Sequence, residues 1–181
     1  MRHRSDYKSR AIKFLRMVYP YIQNCLTNPD ECIEQIEIFN REKSRHAYLN
    51  FGASRIAIIA SDYVIKFDYC KENVRDVGGC ETELMFYSFA KRKGYERLFA
   101  EISCVIYKDT PFFIMPRIPR VGDGHDNVEM YLSEEDGDFV SEYLFDMHEN
   151  NYGFVNHYPV IVDYASNVLL EGVDLGVTTT R

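Results

Sequence analysis

Phe145-Asp-Met-His-Glu-Asn-Asn-Tyr-Gly-Phe-Val-Asn-His-Tyr-Pro-Val-Ile-Val-Asp-Tyr164 is the stretch on which the reading of the fold turns. Asp146, Asn151 and Asp163 supply two carboxylates and a carboxamide at steps of five and twelve residues. Between Asn151 and Asp163 lie two apolar runs, Tyr152 to Val155 and Pro159 to Val162, parted by Asn156 and His157. That pattern predicts a hairpin with a short polar turn, which returns Asn151 and Asp163 to the same end. Converging oxygen ligands of this kind suit a hard divalent cation, and magnesium takes one or two carboxylates and leaves its other positions to water and phosphate. Read as plain turn chemistry, the same residues would only punctuate a hairpin.

The string DMHENN followed by VIVDYA resembles the catalytic loop and metal-binding strand of the protein-kinase-like superfamily, in its aminoglycoside and small-molecule kinase form. The resemblance implies that Asp146 is the catalytic Asp, that Asn151 and Asp163 bind Mg2+, and that His148 braces the loop. It also implies ATP as the nucleotide.

Upstream, periodicity switches to that of strands from Ala47: a run to Phe51, then Ile56 to Ala60, a Ser61-Asp62 turn, and Tyr63 to Phe67. The first connection, with Gly52, Ala53 and Ser54, stands where the family has its glycine-rich phosphate loop, although only Gly52 is glycine. Val64 to Phe67 resembles the family's lysine strand. Alternation puts Val64 and Lys66 on one face, so the resemblance places Val64 against the base and Lys66 at the phosphates.

Cys80 to Lys93, closed by Gly94, reads as a helix, and the resemblance implies that it gives a Glu to that lysine. Glu81 and Glu83 lie about 200° apart on the helical wheel, so only one faces inward. Tyr87 and Ala90 continue the face of Glu83, which is therefore the expected partner. Leu98 to Tyr107 and Phe112 to Met115 read as two further strands, completing five. By resemblance, the backbone from Met115 to Arg117 would hydrogen-bond adenine.

Before the sheet, residues 8 to 27 and 29 to 42 carry apolar residues at helical spacing, with a kink or break expected at Pro20 and a cap at Asn28. After it, Pro116 to Asn127 reads as a linker, and Ser133 as the cap of a helix that packs Phe139, Val140, Tyr143 and Leu144 inward. The acidic run Glu134 to Asp138 reads as that helix's solvated first turns.

The expected architecture is thus α+β. It comprises a helical extension over 1–44, a five-strand antiparallel kinase-like N-lobe over 45–116, and a much-shortened C-lobe over 117–181. Only 18 residues follow Asp163, Tyr164-Ala165 replaces the usual Phe-Gly, and Leu144-Phe145 replaces the pair before the catalytic Asp. Two functions fit: an ATP- and magnesium-dependent phosphotransferase acting on a hydroxyl, of a protein or another molecule, or a pseudokinase that binds nucleotide and engages a partner protein.

Hydrophobic residues at 46% and charged residues at 27% are ordinary globular values, and no apolar run reaches the roughly 20 residues of a membrane span. A net charge of −7 disfavours nucleic acid as partner. Five cysteines without CxxC spacing read as reduced thiols, not a zinc site. Met1 to Arg10 lacks the pattern of a secretory signal, so a cytoplasmic location is expected. Compact kinase-like proteins of this type occur among bacteriophage products, which by analogy suggests action within a host cell.

Overall fold

A computed structural model describes residues 6–27, 32–43, 47–51, 55–68, 79–119, 128–145 and 147–168. The fold is α+β, with four helices and a five-strand antiparallel sheet among the described residues. Packing gathers the chain into two compact units, residues 1–80 with 103–117 and residues 81–102 with 118–181.

In the first unit, helices α1 (Asp6–Thr27) and α2 (Cys32–Lys43) precede strands β1 (Ala47–Phe51), β2 (Arg55–Ala60) and β3 (Tyr63–Asp68). Strands β4 (Ser103–Tyr107) and β5 (Thr110–Pro116) complete a sheet of order β1-β2-β3-β5-β4. Period-two alternation sorts its residues into two faces. One face presents Ile56, Ile58, Ile65, Phe67, Phe112 and Ile114, all fully buried in one core with Leu15, Val18, Ile22 and Cys25 of α1. The N-terminal helices therefore cover the sheet.

Of the kink or break expected at Pro20, the break is absent: α1 runs through Pro20 as one helix. An interior proline costs about 3 kcal/mol through the lost N–H and the crowded carbonyl four residues back. Fully burying one Leu, Val or Ile side chain contributes about 1.5–3 kcal/mol, and the buried stripe continues on both sides of Pro20. Tertiary packing outweighs the local penalty. The Asn28 cap lies outside the described residues.

On the outer edge of β1, the Asn40 carboxamide of α2 accepts from the Leu49 N–H (2.6 Å) and donates to the Leu49 carbonyl (3.1 Å). It thus stands in for a neighbouring strand. At the β4–β5 turn, Lys108 and Asp109 both have positive φ (49° and 61°), as a two-residue type I′ turn requires.

The second unit holds most of helix α3 (Gly79–Lys93), helix α4 (Glu134–Tyr143) and the hairpin β6 (Tyr152–Val155) and β7 (Tyr158–Ile161). Its core is aromatic. Phe86 and Phe89 of α3 meet Phe139 of α4, Phe86 also touches Phe99 and Tyr164, and Tyr95 stacks on Phe139 at 4.0 Å between ring centres. These contacts gather residues 81–102 with the C-terminal residues in one unit. Gly94 (φ 85°) ends α3 in the left-handed conformation that glycine adopts without strain.

Leu98 to Ile102 is not the strand its apolar character suggested. Glu96–Leu98 is a 3-10 turn, after which Phe99 bridges Ile161 in parallel and the Ala100 N–H donates to the Ile161 carbonyl (2.8 Å). The buried Leu98, Phe99, Ala100 and Ile102 serve the second unit's core, and the sheet strand begins only at Ser103.

Ser133 caps α4, its hydroxyl accepting from the Asp136 N–H (3.2 Å). Asp136 itself departs from the solvated reading. It is 2% exposed, forms an ion pair with Arg97 and accepts from the Tyr158 hydroxyl (2.8 Å). Burial and the Asp136 carboxylate raise the Tyr158 phenol above its ordinary value.

Candidate functional site

Asn156 and His157 connect β6 to β7 with φ of 53° and 65°, a type I′ turn whose twist matches that of the paired strands. The register opposes Tyr152 to Ile161, so the ladder arrives at Asn151 on one side and Val162 on the other. There the Asn151 carbonyl accepts from both the Val162 N–H (2.7 Å) and the Asp163 N–H (3.2 Å). Two residues answering one is the step of a β-bulge, which ends pairing and re-aims side chains. Asn151 is buried and Asp163 half-buried. The hairpin thus brings these two residues together, as their spacing predicted.

The approach to Asn151 is fixed by a 3-10 turn, Glu149–Asn151. His148 caps it: its Nδ1 accepts from the Asn150 N–H (3.2 Å) and its carbonyl accepts from the Asn151 N–H (2.9 Å). Asp146 lies outside the described residues, but the chain before it is tied. Leu144 forms an antiparallel bridge with Asn167, and the Phe145 N–H donates to the Ser166 carbonyl (3.0 Å). Leu144 and Phe145 are therefore cross-linked by backbone contacts to the segment following Asp163. Beneath the hairpin, a Cβ on Gly153 would collide with the Pro119 carbonyl, which accepts from the Phe154 N–H (3.1 Å).

Glu83 is fully buried and Glu81 exposed, so α3 has the phase that Tyr87 and Ala90 indicated. The Glu83 Oε1 accepts from the Tyr164 N–H (3.2 Å). Tyr164 is buried to the tip of its ring. Its hydroxyl donates to the Ala100 carbonyl (2.9 Å), and its own carbonyl accepts from the Asn167 side chain (2.6 Å). Burial, and after it the charges of Glu83, Tyr87 and Asp163, push the Tyr164 phenol well above its ordinary value. Asn167, fully buried, was not singled out by sequence, where a lone Asn near the C-terminus carries no signal.

In the first unit, Val64, Lys66, Phe113 and Met115 share the sheet face opposite α1, in rows set by Ala57↔Lys66↔Phe113 and Ile59↔Val64↔Met115. Lys66 is 8% exposed. Asp68, two residues along the same face, accepts from the Cys80 N–H (3.3 Å). Burial raises its carboxyl above the ordinary range, against the pull of that N–H and of the Arg55 and Lys66 charges. Met115 is buried, while the Arg117 N–H donates to the Asp62 carbonyl (3.0 Å) and its guanidinium to the Ala60 carbonyl (3.0 Å). That backbone donor, expected to face adenine, is committed to the sheet. Gly52, Ala53 and Ser54 lie outside the described residues.

For a hard cation, the donor set at the hairpin is one carboxylate and one carboxamide, which fits magnesium only if phosphate and water complete the shell. Among the described residues no three His, Cys, Asp or Glu side chains gather as a metal cluster. Cys25, Cys80 and Cys104 are free thiols. No described helix is long and apolar enough to cross a membrane.

No protein family and no curated protein matches the chain. Among solved structures, the bifunctional kinase-methyltransferase WbdD aligns with 14% identity and a TM-score of 0.35. The alignment covers 63% of this chain and 30% of that one, so the chain spans under a third of that protein's length.

Proposed function

We propose that the protein is a minimal kinase-like phosphotransferase that uses ATP and magnesium and acts on a hydroxyl acceptor, which a protein side chain could supply. The observation that carries this reading is the hydrogen-bonded meeting of Asn151 and Asp163 at the open end of β6–β7, with Leu144 and Phe145 tied to the segment that follows Asp163. Asp163 and Asn151 would hold magnesium, which when bound offsets charge on the phosphate oxygens. Lys66 would take the α and β phosphates and Glu83 would orient Lys66, as the family resemblance implies. Asp146 would position the acceptor hydroxyl and receive its proton as phosphorus leaves the ATP bridging oxygen for that hydroxyl.

A second reading, a nucleotide-binding pseudokinase that engages a partner protein, is favoured by the committed Arg117 N–H and by the single glycine in residues 52–54. Two substitutions separate the readings. Asp163→Asn should abolish magnesium-dependent ATP binding in both. Asp146→Asn should leave ATP affinity unchanged and, in the enzyme, cut phosphoryl transfer by about 10² or more, the scale of a lost acid/base group. Mass spectrometry after incubation with ATP and magnesium, together with calorimetric titration, reads both. If the wild type transfers no phosphate to itself or to a panel of hydroxyl acceptors yet binds ATP, the pseudokinase reading stands.

A further inference from the structure

Tyr164 follows Asp163 directly, and each of its hydrogen-bonding groups is engaged within the second unit. The N–H donates to Glu83, the carbonyl accepts from Asn167 and the hydroxyl donates to Ala100. Its ring lies against Phe86 and Phe99, with centres 6.3 and 5.1 Å away. Turning Asp163 away from Asn151 would draw this side chain out of an aromatic core and strand its hydroxyl. A phenylalanine there would keep the ring contacts and lose the hydroxyl tie. Ala165, also buried, is not among the positive-φ residues and lacks the backbone freedom a glycine would bring.

We infer that Tyr164 is a positioning residue, which through its hydroxyl tie to Ala100 holds the Asp163 backbone against Asn151, so that the segment proposed to bind metal is a fixed clasp and not a switch. The inference rests on the proposed magnesium–nucleotide role of Asp163. It deepens that role by removing the need for an activating rearrangement, since the clasp is already closed by residues internal to one unit.

The test uses the full chain carrying Tyr164→Phe, with two readouts. Hydrogen exchange of the peptide spanning residues 160–168 should quicken by about tenfold, the scale of one lost hydrogen bond. The magnesium concentration at half-maximal ATP binding, measured by calorimetry, should rise by a similar factor of about ten, while ATP binding in EDTA stays at the wild-type level. Asn167→Ala, which releases the Tyr164 carbonyl, should act in the same direction and carries the test if Tyr164→Phe does not fold. If the wild type binds ATP with a magnesium midpoint that neither variant shifts, the clasp is overturned and the site reading survives. A wild type that binds no ATP at any magnesium concentration overturns both.

Discussion

The Asp163 N–H donates to the Asn151 carbonyl across 3.2 Å, although twelve residues separate the two in sequence. What closes that distance is the left-handed pair Asn156 and His157, which reverses the chain in two residues and sets the register that ends at Asn151. The geometry of the candidate metal site is thus inherited from a turn at the far end of the hairpin.

That dependence makes His157 a sensitive position. Left-handed φ costs a non-glycine residue roughly 1–2 kcal/mol, and replacing His157 with glycine relieves it against a somewhat smaller gain of unfolded-chain entropy. His157→Gly, creating the preferred Asn-Gly turn, should stabilise the protein by about 0.5 kcal/mol in urea unfolding. A β-branched residue in the same place should do the reverse. The argument is lost if His157→Val is as stable as wild type.

Asp136 should matter more than its acidic neighbours. Asp136→Ala removes the carboxylate shared by the Tyr158 hydroxyl and the Arg97 guanidinium, so a loss of about 1–2 kcal/mol is expected in urea unfolding. Arg97, whose side chain is 51% exposed, can reach water when its partner is removed. Changing Glu134 to Ala, on the exposed first turn, should cost less than about 0.5 kcal/mol. Equal costs at the two positions would return Asp136 to the solvated face.

The contrast between Asp136 and Glu134 shows what the sequence made legible and what it did not. Local periodicity was enough for the five strands, the inward phase of Glu83, the Ser133 cap and the hairpin that joins Asn151 to Asp163, because each is specified by residues a few positions apart. Asp136 is buried by Arg97, 39 residues upstream, and nothing in an acidic run announces a distant cation. Leu98 to Ile102 has the composition of a strand, yet it pairs with Ile161 of β7, and an apolar run does not name its partner. Pro20 reads as a kink or break on propensity alone, whereas burial on both sides of it keeps α1 one helix. The environment of Tyr164 was not visible in sequence. A tyrosine in place of phenylalanine was plain, but its acceptor, the Ala100 carbonyl, required the fold.

Asn40 protects a sheet edge. Its carboxamide occupies both the N–H and the carbonyl of Leu49, so Asn40→Ala should cost about 1–2 kcal/mol and leave a bare edge open to another chain. Asn40→Asp keeps an acceptor for the N–H but loses the donor, and should fall between the two. Sedimentation velocity should then show self-association rising in the order wild type, Asp, Ala. A monomeric Asn40→Ala at high concentration would mean that α2 shields the edge by bulk alone.

Glu83 separates charge from hydrogen bonding. Gln at this position retains an oxygen for the Tyr164 N–H, so Glu83→Gln should keep that hydrogen bond and lose less stability than a variant without it. Glu83→Leu leaves that N–H without this acceptor and should lose about 1–3 kcal/mol. On the proposed function the two variants share a defect that stability does not report, because orienting Lys66 needs the negative charge. Both should lose phosphoryl transfer by about 10² or more, as when a group that stabilises charge at the phosphates is removed. A Gln variant that keeps full turnover would confine Glu83 to bracing the segment after Asp163, and a Gln variant as unstable as Leu would show that the carboxylate's charge is itself part of the fold.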